Sequence, residues 1–176
     1  QLSIRLFGLL VIGALQGSLG WYMVKSGLVG EPEVSQYRLA AHLGLALLII
    51  SGLVWIARGF SRSYKSSSRL RSHGKVLYLK RFGIILFLMI FCTACSGALV
   101  AGLNAGLVYN TFPLMDGQWV PVGLFIETRW YLNFFESVIS VQFDHRVLAI
   151  MTGTCVSLFW FASRRYKLSN SAVLAI

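Results

Sequence analysis

Residues 39–57, LAAHLGLALLIISGLVWIA, run for nineteen positions without one charged side chain, enough apolar helix to cross a hydrocarbon core. Three further stretches share that character: 6–24, 82–107 and 145–163, the last uninterrupted only from Val147. Backbone in lipid must satisfy its own peptide groups, so helices or a closed barrel are the available solutions. None of the four runs alternates with period two, and the expected fold is an all-α, polytopic transmembrane helical bundle forming a single integral membrane domain over 1–176. With 56% hydrophobic and 12% charged residues and a mean hydropathy of +0.69, the chain is excluded from the ordinary soluble class.

A net charge of +10 raises nucleic acid as a partner, but its distribution points to a lipid bilayer. The 58–81 loop holds eight basic residues and no acidic one, whereas the connections at 25–38 and 108–146 hold four basic and six acidic residues between them. Arg164, Arg165 and Lys167 follow the fourth run. This asymmetry predicts that 58–81 and the segment from 164 onward face the cytoplasm or matrix, and that 108–144 is an outer loop. The chain starts at Gln1 and stops inside a new apolar run, 171–176, which reads as the start of a fifth helix; the expectation is an internal piece of a longer protein. A bacterial inner membrane is favoured by the short 29–35 connection, with the mitochondrial inner membrane as the alternative.

The histidines are the chemistry-bearing residues. His42 precedes Arg58 by sixteen residues and His145 precedes Arg164 by nineteen. At 1.5 Å per residue each imidazole is about 24–28 Å from the inner edge, in the outer part of the membrane. An ionisable group at that depth is costly unless paired, so it marks either an interhelical hydrogen bond or a function such as axial ligation of haem iron. Ala40, Ala41, Gly44 and Ala46 around His42 leave room for a flat macrocycle, and serve helix packing equally well. Arg38, one turn before His42, is placed either to hold a haem propionate or to anchor at the headgroups. Asp144 and Arg146 flank His145; Asp144 suits either orientation of the imidazole or capping of the fourth helix, and capping is favoured.

The first two helices also echo the next two. SGLVGEPEVSQYRLAAH passes from Gly-Leu-Val through a loop and Gln36-Tyr37 to His42. AGLVYNTFPLMDGQWVP repeats Gly-Leu-Val at 106–108, and the chain reaches His145 after Gln142-Phe143. The glutamine-to-histidine spacing differs, six against three, yet a duplicated two-helix unit is the expectation. Cys92, Cys95 and Cys155 read as small packing residues despite the C-x-x-C spacing, and His73 as a solvated loop side chain.

The strings LGWYMVKSGL, VSQYRLAAHLGLAL, GALVAGLNAGLVYNTFPLMDGQWVP and FFESVISVQFDHRVLAI together resemble the haem A synthase family over nearly all of residues 12–151. The resemblance implies the central part of an eight-helix protein made of two pseudo-symmetric four-helix bundles. It implies oxidation of a methyl group of haem O to a formyl group, giving haem A for cytochrome oxidase assembly. It implies metal and cofactor binding by His42, an iron ligand in the N-terminal bundle, and His145, a ligand to haem b in the C-terminal bundle, with Arg38 as a further cofactor-binding residue. The family's catalytic glutamate falls outside these residues, so no catalytic residue is assigned and the chain alone is expected to be inactive. Haem O, haem O synthase, an unidentified electron donor and a second copy of the chain are the partners this reading allows; nucleic acid is not among them. The residues by themselves leave a non-enzymatic haem-carrying electron-transfer subunit or a transporter-like bundle open, and allow both histidines to share one haem.

Overall fold

The computed structural model describes residues 2–27, 34–63 and 73–165. Four long helices carry the fold: α1 (Leu2–Gly27), α2 (Gln36–Ser63), α3 (His73–Gly102) and α4 (Val138–Arg165). Within them, Leu2–Lys25, Gln36–Gly59, Leu77–Gly102 and Val138–Arg164 are long and apolar enough to cross a membrane. At 1.5 Å per residue even the 24-residue spans reach about 36 Å, beyond a hydrocarbon core of about 30 Å. No strand occurs among the described residues, where a single bridge joins Met115 and Gln118. The 171–176 run, the 28–33 connection and the 64–72 part of the basic loop lie outside the described residues.

Among the described helices, packing joins chain neighbours: α1 on α2, α2 on α3, α3 on α4. The contacts fix an antiparallel register throughout. On α1 and α2, Leu9 lies at Gly52 while Gly20 faces His42; on α2 and α3, Gln36 meets Gly102 and Gly44 meets Cys95. On α3 and α4, Phe82 stacks edge-on against Phe159 and Gly97 faces His145. The result is an open row of helices whose lateral faces remain apolar and uncovered, as at Phe7, Leu10, Trp55 and Leu158. In water such exposure would be prohibitive; in lipid it is the ordinary state of an outward helix face.

The helix limits depart from the apolar runs where polar residues acquire partners. The third run extends to 107, but α3 ends at Gly102, followed by Asn104 in the left-handed region (φ 52°) and a short 3-10 turn over Ala105–Leu107. The fourth run becomes apolar near 145–147, yet α4 begins at Val138. Its first two turns carry Ser140, Gln142, Asp144 and Arg146, several of which bind the preceding connection instead of facing lipid.

That connection, residues 103–137, is ordered by buried polar groups. Asn133 is fully buried: its Oδ1 accepts the Glu127 N–H at 3.1 Å and its amide nitrogen donates to the Trp130 carbonyl at 3.0 Å. Ser140 Oγ accepts the Phe125 N–H at 3.3 Å. The Arg146 guanidinium donates to the carbonyls of Thr111 (2.6 Å), Tyr109 (2.6 Å) and Leu114 (3.3 Å), and Gln142 Nε2 adds a bond to Tyr109 at 2.9 Å. The same connection reaches α2, where the Tyr37 hydroxyl donates to Glu136 Oε1 at 2.8 Å and the Tyr37 and Phe135 rings lie 6.3 Å apart.

Candidate functional site

The two histidines occupy equivalent places in two successive hairpins. His42 is the seventh residue of α2 and His145 the eighth of α4. Each imidazole brings its Cε1 up to a glycine of the helix before it. A methyl group added at Gly20 on α1 would stand 3.1 Å from His42 Cε1, and one added at Gly97 on α3 would stand 3.1 Å from His145 Cε1. Both glycines are therefore seats: a side chain there would press on the ring and oblige it to shift by a few tenths of an ångström. This shared geometry gives the α1–α2 and α3–α4 hairpins a common plan that the loops, of unequal length, disguise in the sequence.

The hydrogen-bond partners differ between the two seats. Ser96 Oγ donates to the Thr93 carbonyl at 2.8 Å and lies 2.8 Å from His145 Nδ1. Because that hydroxyl proton is directed to the carbonyl, Nδ1 carries its own proton and donates to Ser96, leaving the Nε2 lone pair for a metal. One turn away, Thr93 and Thr152 hydroxyls pair across α3 and α4 at 2.8 Å. At the other seat the Gln16 amide nitrogen spans two acceptors, the His42 carbonyl at 3.1 Å and His42 Nε2 at 3.2 Å. An amide NH2 only donates, so Nε2 accepts and the proton sits on Nδ1, which is buried without a hydrogen-bond partner.

Arg38 lies on the same side of α2 as His42, with its guanidinium carbon 5.0 Å from the centre of the Tyr22 ring on α1. Asp144 does not cap α4. The helix starts six residues before Asp144, at Val138, where Ser137 Oγ accepts the Ser140 N–H at 3.4 Å and so takes the capping role. Nor does a carboxylate hold the His145 Nδ1, which is engaged by Ser96; Asp144 Oδ2 is buried with no hydrogen-bond partner. Cys95 packs its sulfur on Gly44, at 3.4 Å from a methyl group built there, and the three cysteines are free thiols. No cluster of three or more His, Cys, Asp or Glu occurs among the described residues.

These residues suit a haem. The seats offer imidazoles in apolar helices, one with its Nε2 left available by the contact of Nδ1 with Ser96, beside glycines that leave room for the ring. Residues that spacing alone did not single out, Gln16, Gly20, Ser96 and Gly97, form the immediate surroundings of both imidazoles.

Apolar spanning helices that repeat a histidine-bearing hairpin define an integral membrane protein of the polytopic helical class. Comparison with known proteins narrows the class. The COX15-CtaA family model, described as cytochrome oxidase assembly protein, matches residues 1–176, and the chain belongs to that family. It is 48% identical to the heme A synthase of Nitrosospira multiformis over 99% of this chain and 48% of that protein. It is 46% identical to the heme A synthase of Parvibaculum lavamentivorans over 96% of this chain and 47% of that protein. Heme A synthase COX15 of Bos taurus is 44% identical over 97% of this chain and 42% of its own length. The chain thus spans about half the length of the curated relatives it matches, and no solved structure matches it.

Proposed function

We propose that this chain supplies the central helices of a haem A synthase, a membrane oxidoreductase that converts a methyl group of haem O to a formyl group. The observation that carries the reading is the repeated seat: one imidazole per hairpin, early in the second helix of each, set against a glycine, in a chain whose relatives are named heme A synthase. In this reading His42 and His145 would each help to hold a different haem, His145 a resident haem b and His42 the haem being processed. Helices beyond these four would complete both sites. A bound haem supplies redox-active iron; the protein residues bind, orient and seclude it.

The two seats divide those tasks. Ser96 fixes the His145 tautomer and so presents Nε2 continuously, which suits a permanent ligand. Gln16 covers Nε2 of His42 and has to swing aside before iron can bind, which suits a site that is filled and emptied. Arg38, one turn above His42, offers a guanidinium for a propionate. The topology that accompanies this reading puts 58–81 on the cytoplasmic or matrix side and 103–137 over the outer helix ends.

The test is an optical and pyridine-haemochrome spectrum of the intact protein with His42→Ala and His145→Ala beside it, followed by chromatography of the extracted haems. A b-type spectrum lost chiefly with His145→Ala, and haem O accumulating in place of haem A with His42→Ala, is the expected pattern. An intact protein that binds no haem, with haem composition indifferent to both substitutions, would overturn the proposal in favour of a polar packing role.

A further inference from the structure

At the end of the α2–α3 pair remote from the histidines, the two helices border a groove of about 740 Å³ lined by Ser51, Val54, Trp55, Gly59, Gly83 and Phe87, among others, and by Arg58 and Lys80. Its width comes from two missing side chains. A methyl group added at Gly59 or at Gly83 would meet nothing within 4 Å. Its walls are apolar and uncovered by the described residues: Val54, Trp55, Ile84 and Phe87 are all exposed. Arg58 and Lys80, by contrast, are the first and seventh of the eight basic residues in a 24-residue stretch without an acidic one.

An apolar channel in the membrane that opens between two cations suits a molecule with a hydrocarbon tail and an anionic head. The Trp55 ring, one turn before Arg58, is placed as an interfacial anchor, so the cations stand at headgroup level and the groove below them at acyl-chain depth. Zwitterionic lipid would fill the groove but leave both cations without a net counter-charge, whereas free phosphate would pair with the cations and leave the groove empty. We propose that the α2–α3 groove is a binding site for an anionic phospholipid, its phosphate held by Arg58 and Lys80 and one acyl chain lying over Gly59 and Gly83. Basic pockets between membrane helices on the positively charged side are physically suited to such headgroups. The site is independent of the histidine seats and of what they bind.

The test uses the intact protein, delipidated in mild detergent and titrated with phosphatidylglycerol or with phosphatidylcholine of the same acyl chains, bound lipid being counted by native mass spectrometry. Phosphatidylglycerol is expected to be retained preferentially, and Arg58→Gln with Lys80→Gln to weaken it roughly tenfold or more, in line with the contribution of two basic residues at an anionic lipid surface. Gly83→Leu, which keeps both cations and has space for its side chain, is expected to expel the lipid by filling the groove, while Gly8→Leu on α1, equally unobstructed, leaves binding intact. Equal retention of the two lipids, displacement by inorganic phosphate, or binding indifferent to Gly83→Leu would each overturn the proposal. So would protection of a Gly83→Cys thiol from maleimide after delipidation, because the groove would then be occupied by protein.

Discussion

Gly102→Ala should loosen the junction between the two hairpins, and the reason is local geometry. Gly102 ends α3 against the first residue of α2; a methyl group there would overlap Gln36 Cα and stand 2.8 Å from its Cβ and 3.0 Å from its backbone nitrogen. Against ordinary carbon contacts of about 3.5–4.0 Å, the Cβ contact is short by roughly 0.7–1.2 Å. No rotamer change relieves it, since the obstructing atoms are backbone and Cβ. The helices must part, and Gln36 and Tyr37 would be drawn away from Phe135 and Glu136, which they now bond. Overpacking of this kind costs about 1–3 kcal/mol, more than the roughly 1 kcal/mol by which alanine improves on glycine even inside a helix. Gly13→Ala in α1 is the control, because nothing lies within 4 Å of its added methyl. Thermal unfolding of the intact protein in detergent, followed by circular dichroism, should show a lower midpoint for Gly102→Ala and an unchanged or higher one for Gly13→Ala. Equal midpoints for the two variants would refute the packing argument.

Gly97→Ala should push the His145 ring by a few tenths of an ångström and stretch its 2.8 Å contact with Ser96, read as weaker haem retention and an altered low-spin spectrum; Gly20→Ala should do the same at His42. Gln16→Ala removes the amide that covers His42 Nε2, so haem should enter that seat faster in a stopped-flow titration, with no change at His145. A slower entry would count against Gln16 as a cover. Arg146→Gln should free the 109–114 segment, since hydrogen bonds from charged groups contribute about 1.5–3 kcal/mol each; limited proteolysis should cut there first, and Arg146→Lys should rescue only in part because a point charge cannot serve three carbonyls as a planar fork does. Asn133→Leu keeps the volume but strands the Glu127 N–H in a fully buried position, and should lower the unfolding midpoint while leaving the spanning helices intact by circular dichroism.

The spanning helices were legible because hydropathy over some twenty residues is a sum, and a sum survives local exceptions. The start of α4 was not, because Ser140, Gln142, Asp144 and Arg146 look like loop residues until their partners in 103–137 are known. His42 and His145 stood out as ionisable groups at membrane depth, whereas their glycine seats are indistinguishable in sequence from the other helical glycines. What singles out Gly20 and Gly97 is the antiparallel register, a relation between helices that no single stretch encodes. The capping role drawn from Asp144 failed for a similar reason: it presumed where the helix began, and Ser137 holds that place.

The row-like order of the helices bears on how the protein is made. Among the described helices, α2, α3 and α4 each dock on the one before, so this part of the packing follows the order of synthesis. The seat of His42 is complete once α2 has folded back on α1, and that of His145 needs only α3 and α4. Each hairpin therefore carries the groups that orient its own imidazole, and the long 103–137 connection, fastened to α4 by Arg146 and to α2 by Tyr37, ties together hairpins already packed through α2 and α3.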